Sequence, residues 1–155
     1  MRVLFLPFLF CILILPLHPQ TQPNSEPVSY IGLTLAELIT NFGIPDSVYS
    51  SRGPEVWQDD VVFKYGATDF YIVKDRVWQI AVREVFLIRA GDPFTAVFLS
   101  FGEPVASGPD YAVFTLERRN LPGQQWPDQL WPLAIRFNFD AAGRIAMIYI
   151  YRSDL

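Results

Sequence analysis

GLTLAELITNFGIP, running from Gly32 to Pro45, returns without a gap as GDPFTAVFLSFGEP, running from Gly91 to Pro104. Gly32 aligns with Gly91, Phe42 with Phe101, Gly43 with Gly102 and Pro45 with Pro104. Leu35, Leu38, Ile39 and Phe42 of the first stretch fall opposite Phe94, Val97, Phe98 and Phe101 of the second. That spacing, i, i+3, i+4, i+7, gives each stretch one apolar stripe and predicts a short helix. Thr34 with Glu37 three residues on reads as a capping box, in which hydroxyl and carboxylate each satisfy a backbone N–H at the helix start. In the second copy Asp92 is expected as N-cap and Pro93 as the first helical residue. Gly43 and Gly102 suit a left-handed cap, and a proline two residues later stops the helix. Packing and capping account for this whole repeat, so none of it is read as catalytic.

Strand-type sequence follows each helix. Val61 to Tyr65, Phe70 to Val73 and Val77 to Val82 are rich in branched and aromatic residues, with turns at Gly66 and Lys74-Asp75. Tyr111 to Leu116, Leu133 to Phe139 and Ile145 to Tyr151 play the same part in the second half, with a last turn over Asp140 to Gly143. Ile135, Phe137 and Phe139 alternate with Ala134, Arg136 and Asn138, the pattern of a half-buried strand. A two-residue hairpin at Lys74-Asp75 would make Tyr71 and Trp78 cross-strand neighbours on one face. RVWQI at Arg76 echoes RIAMI at Arg144, carrying the repeat through its closing strand. The expected fold is therefore α+β: two tandem helix-plus-antiparallel-meander repeats, residues 31–89 and 90–155, forming one curved sheet with both helices on one face. The other face stays open and is where binding is expected.

Ahead of these units, Arg2 is followed by about fifteen uncharged residues from Val3 to Leu17 and then a polar, Pro-rich exit. That order reads as a signal peptide over residues 1–22, with a retained N-terminal anchor as the alternative. Residues 23–30 read as a flexible tether. The implied location is exported, in the periplasm or cell envelope, with membrane contact only through the N-terminal segment if it is not cleaved. With Arg2 set aside the formal charge is about −5 and no basic block exists, which excludes phosphate-neutralising nucleic-acid binding.

The chain has one Cys and one His among 155 residues, Cys11 and His18, and both lie in the leader. The remainder can form no internal disulfide, no Cys/His or Ser/His pair and no His- or Cys-ligated zinc site. No Ser-x-x-Lys, Gly-x-Ser-x-Gly, phosphate-cradling glycine loop or acidic calcium loop occurs. Asp59-Asp60, the only adjacent acid pair, reads as solvated turn residues rather than as paired catalytic carboxylates. The chain is accordingly read as a non-enzyme without cofactor or metal.

Gly32, Leu33, Thr34, Glu37, Leu38, Phe42, Gly43 and Pro45, followed by Trp57 and the strand Val61 to Tyr65, resemble the SmpA/OmlA (BamE-like) envelope domain. Two such units in tandem in an exported chain also resemble the β-lactamase inhibitor protein (BLIP-like) fold. The first family is typically single-unit and lipidated, the second disulfide-bonded; this chain has two units, no lipobox around Cys11 and no disulfide. What both resemblances imply is an exported domain that binds another macromolecule.

Contact with an envelope or secreted protein partner is expected from aromatic residues in two places. Trp126, Asp128 and Trp131 lie in a Pro/Gln-rich connection, and Trp supplies a large rigid contact with a polar N–H. Trp57, Trp78, Tyr71, Tyr49 and Tyr111 lie on strands or strand edges. The alternative is a carrier that holds an apolar small molecule or lipid on the concave aromatic sheet face.

Overall fold

The structure, a computed structural model, describes residues 27–52, 59–116 and 131–155. A 3₁₀ turn at Pro27–Tyr30 leads to α1 (Leu35–Phe42), β1 (Ser47–Ser51), β2 (Asp60–Tyr65), β3 (Thr68–Val73) and β4 (Arg76–Val82). A short hairpin, β5 (Glu84–Val85) and β6 (Ile88–Arg89), precedes α2 (Phe94–Phe101). The chain then runs through β7 (Ala106–Gly108), β8 (Tyr111–Leu116), β9 (Leu133–Phe139) and β10 (Ile145–Arg152). Apart from the hairpin, every strand joins one sheet in the order β1-β2-β3-β4-β10-β9-β8-β7. All its pairings are antiparallel.

This corrects the expected fold class. The protein is sheet-dominated, one eight-stranded antiparallel sheet with two short helices, and not a two-repeat α+β fold. The physical reason lies in where apolar surface is buried. Each helix has only eight residues, about two turns, and contributes few fully buried side chains: Leu38 and Phe42 from α1, Val97 from α2. The strands supply most of the core, and β4 pairs with β10 to make the sheet continuous. Of the tether expected over 23–30, the last four residues form the 3₁₀ turn, with Val28 and Tyr30 buried in the core; residues 23–26, like the leader, lie outside the described residues.

One face of the sheet is the core face. Strand register sets Phe70, Ile80, Ile150, Ile135 and Phe114 side by side across β3, β4, β10, β9 and β8, all of them buried. Both helices rest on this face. The Phe42 ring of α1 lies 5.1 Å from Phe70, and the Phe101 ring of α2 lies 5.4 Å from Phe114 and 5.5 Å from Phe137.

The quoted sequence repeat corresponds to two equivalent backbone junctions. Gly32 N–H donates to Val77 O at 2.8 Å, Val77 N–H to Leu33 O at 2.9 Å, and Arg76 Nη1 to Gly32 O at 2.8 Å. In the second half Gly91 N–H donates to Ile145 O at 2.7 Å, Ile145 N–H to Asp92 O at 2.9 Å, and Arg144 Nη1 to Gly91 O at 2.8 Å. Each junction pins the start of a helix to the turn end of a hairpin. Thr34 and Glu37 form the expected capping box. The second helix is capped one residue later than expected: Pro93 is its N-cap, without a side-chain bond, because the Asp92 carboxylate accepts from Arg89 N–H instead. Gly43 and Gly102 have φ of 78° and 77°, but their ψ of −150° and −138° is extended rather than left-handed helical. That region is open essentially to glycine alone.

Gly32 and Gly91 also have positive φ, 91° and 95°. A Cβ on Gly32 would run into the Trp131 ring, whereas a Cβ on Gly91 would meet no atom within 4 Å. Both Gly→Ala variants are expected to lose stability through backbone strain, of order 1–3 kcal/mol. Overpacking against Trp131 should add about 1–3 kcal/mol to the loss for Gly32→Ala. Urea denaturation of the two variants checks this; equal losses would show that Trp131 yields without cost.

Candidate functional site

Side chains alternate across a strand, so the residues between the buried ones point away from both helices. One row across this open face reads Tyr49, Val62, Tyr71, Gln79, Tyr151, Ala134. The next reads Lys64, Asp69, Ala81, Tyr149, Arg136, Val113. Large rings alternate with small neighbours, and this explains an otherwise odd fact. Val62, Ala81 and Ala134 are buried although neither described helix lies on this face. Tyr71, Tyr149 and Tyr151 are their cross-strand partners.

Between β3, β4, β10 and β9 the face forms an open groove of about 520 Å³. Tyr71, Trp78, Tyr149 and Tyr151 line it together with Gln79, Arg136 and Asn138, with Ser51 and Leu155 at its margin. Trp78 reaches the groove by a departure from the simple hairpin. Val73 pairs with Arg76 and Ile72 with Val77, but a bulge then sets Tyr71 opposite Gln79 and leaves Trp78 as the extra residue. Tyr71 and Trp78 thus share the groove without being the direct cross-strand pair expected from sequence.

Hydrogen bonds fix several of these groups. Trp78 Nε1 donates to Asp60 Oδ1 at 3.0 Å. Asp60 is therefore not a solvated turn residue: it opens β2, half-buried, and burial raises its pKa above the usual value while the Trp78 N–H acts in the opposite sense. Asp59 remains outside, paired with the exposed Arg52 at 3.2 Å. Tyr49 OH donates to Asp69 Oδ2 at 3.0 Å, and Lys64 Nζ lies 3.6 Å from Asp69 Oδ1. Arg136 Nε donates to Asn138 Oδ1 at 2.7 Å, and its guanidinium sits 4.3 Å from the centre of the Tyr111 ring. Burial raises the phenol pKa of Tyr71, and the nearby Tyr149, Tyr49, Asp69 and Asp60 add to the rise. Burial also raises Tyr151, where Arg136 acts in the opposite sense, and Tyr49, where the hydrogen bond to Asp69 adds to the rise.

The structure brings together Tyr71 and Trp78 in the groove, with Tyr111 beneath Arg136 and Tyr49 at the edge. It does not bring Trp131 to them. That ring packs against Gly32, borders the core and carries the Arg152 guanidinium 4.5 Å above it, so its area is used inside the molecule. Trp57, Trp126 and Asp128 lie outside the described residues. Sequence reasoning missed Tyr149, Tyr151, Arg136, Asn138 and Gln79. Their signal was the off-core phase of the β9 and β10 alternation, where Tyr149 and Tyr151 flank the buried Ile150. Among the described residues no three Cys, His, Asp or Glu side chains cluster as metal ligands, and no helix is long and apolar enough to cross a membrane.

Comparison with known proteins gives a distant structural likeness. An extracellular protein containing an SCP domain from Bacillus anthracis matches the structure with a TM-score of 0.51 at 12% sequence identity, over 92% of this chain and 51% of that one. The likeness is one of fold alone. The chain spans about half the length of that protein. No family model matches the sequence, and no curated protein matches it.

The raised tyrosines give an alkaline signature with a defined sign. A phenol whose pKa is higher in the folded than in the unfolded chain stabilises the fold below the ordinary value of 10.0, and this contribution is lost as pH rises from there toward the folded value. Denaturation midpoints should therefore fall as pH is raised above 10. Tyr71→Phe should show a shallower fall over the same interval, and an identical slope would mean that Tyr71 ionises as freely in the fold as outside it.

Proposed function

We propose that this chain is an exported protein-binding module of the periplasm or cell envelope, assembly-factor-like or inhibitor-like, that holds another protein on the open face of its sheet. The observation that carries the reading is the tyrosine-lined groove opposite the helices. Tyr and Trp offer broad, stiff contact area with a polar tip at a low cost in side-chain entropy, the chemistry of protein-recognising surfaces. Arg136, Asn138, Gln79 and the phenol groups supply hydrogen bonding around the rings. The reading is also supported by the signal-like leader and by the resemblance of Gly32 to Pro45 to envelope domains. That the fold neighbour is extracellular accords with export.

The carrier alternative is weighed by the same groove. An apolar ligand is best held in an enclosed, mostly apolar cavity. Here the groove is open, and a guanidinium, two amides and several hydroxyls line it.

Affinity isolation from envelope extract tests the proposal. The wild-type chain is expected to retain a protein that Tyr149→Ala/Tyr151→Ala loses while melting at a comparable temperature; retention by both would remove the groove from the account. A small molecule that copurifies in native mass spectrometry and disappears in the same variant would favour the carrier. Export is checked separately by mapping the N-terminus of the protein recovered outside the cytoplasm, expected to begin beyond Leu17.

A further inference from the structure

We propose that Arg136 is the receptor for a carboxylate, an Asp or Glu side chain that the protein partner inserts into the groove. This rests on the protein-binding reading above and adds the chemistry of the contact.

The other described arginines are all engaged at their charged ends. Among the described residues Arg52, Arg89 and Arg152 meet the carboxylates of Asp59, Glu84 and Asp154. Arg76, Arg83 and Arg144 each donate from Nη1 to a backbone carbonyl, of Gly32, Ala146 and Gly91. Arg136 differs from all six. Its Nε is used by Asn138 Oδ1 and its face by the Tyr111 ring, but its terminal Nη groups meet no acceptor among the described residues.

Those two contacts orient the guanidinium. The Tyr111 ring lies 4.3 Å from Cζ, and the bond to Asn138 ties down Nε. What remains is the Nη1/Nη2 edge, whose paired N–H groups match the two oxygens of one carboxylate. Arg136 is half-buried on a mid-sheet strand, directly opposite Tyr149. It is the single charged side chain among the groove-lining residues. Asp69, on the same row of the open face, lies three strands away and meets Tyr49 and Lys64 instead. The groove therefore presents one oriented positive charge ringed by aromatic groups, in a chain of net charge −4.

The occupant follows from this arrangement. A phosphate dianion would want more cationic donors than one guanidinium, and among the described residues no second cationic side chain lines the groove. An acidic side chain needs only the free edge, and an open groove admits one projecting from a folded surface.

The test uses the full chain and two readouts. First, N-acetyl-aspartate N-methylamide is titrated while the Arg136 side-chain resonances are followed by ¹⁵N NMR. The expected result is a saturable shift at Arg136 that the matching asparagine amide does not produce; an equal or larger response to inorganic phosphate, or no response to the aspartate probe, overturns the proposal. Second, the partner isolation is repeated with Arg136→Gln and Arg136→Lys. Arg136→Gln is expected to weaken retention by about ten-fold or more, the usual effect of losing hydrogen bonds to a charged group. Arg136→Lys, which keeps the charge without the fork, should fall between it and wild type. Full retention by Arg136→Gln with loss in Tyr149→Ala/Tyr151→Ala refutes the carboxylate receptor and leaves the protein-binding reading intact. Retention by all variants refutes both. A concentration-dependent dimer of wild type that Arg136→Gln dissociates would make the occupant a second copy and overturn the partner assigned here.

Discussion

Four residue pairs, Ile148 with Val82, Tyr149 with Ala81, Ile150 with Ile80 and Tyr151 with Gln79, join β10 to β4 at the middle of the sheet. Both the core and the groove depend on that seam. Strand side chains alternate with a period of two, so a slip of one residue would turn Tyr149 and Tyr151 into the core and push Ile148 and Ile150 onto the open face. The two isoleucines are fully buried, and each fully buried aliphatic side chain contributes about 1.5–3 kcal/mol relative to exposure. Their burial holds the register, and the register sets Tyr149 and Tyr151 beside Tyr71. The groove is a by-product of core packing on the opposite side of the same strands.

The same seam explains how much of the molecule could be read from sequence. The capped helix at Leu35–Phe42 and six long strands carry local signals: Thr34 with Glu37, the apolar stripe, and runs of branched and aromatic residues. Ser47–Ser51 and Ala106–Gly108 carry none. They are mostly small or polar and exposed, and become strands because β2 and β8 offer them unpaired backbone edges. Pairing between β4 and β10, segments far apart in the chain, leaves no local trace either; a single sheet was expected only from joining the two meanders edge to edge. The intramolecular contacts of Trp131 were hidden for a related reason. A tryptophan in a Pro/Gln-rich connection reads as a contact residue, yet the missing side chain of Gly32 makes room for it within the fold. In the groove, Tyr71 and Trp78 were legible from their hairpin. Arg136 and Asn138 were visible only as the polar phase of an alternation, because what makes them a site is the neighbouring strand.

The hairpin between β4 and α2 shows how the sheet tolerates local strain. Phe86 and Leu87 occupy its tip with φ of 50° and 68°, a region that bulky side chains avoid. Such conformations cost of order 1–3 kcal/mol each. Leu87 is 89% exposed and recovers nothing, so the compensation must come from its neighbours. Val85 and Ile88 are buried, and the Phe86 ring lies 6.2 Å from Phe101 on α2. Arg83 and Ala90 close the base of the hairpin through a 2.7 Å backbone bond. The strained turn thus fixes the distance between the end of β4 and the Gly91 junction that seats the second helix.

Rigidity on the open face follows from the alternation of large and small residues there. Tyr71 beside Val62, Tyr149 beside Ala81 and Tyr151 beside Ala134 place each ring against a neighbour too small to cover itself. Val62, Ala81 and Ala134 are buried on this face, where neither described helix lies. A tyrosine held in this way has already given up much of its rotamer freedom during folding. Binding then orders less, and a larger part of the contact energy remains as affinity. The phenol groups keep the face hydrated when it is empty, which leucines in the same positions would not. Among the described residues both helices lie on the other face, and the side chains that line the groove suit an exposed surface.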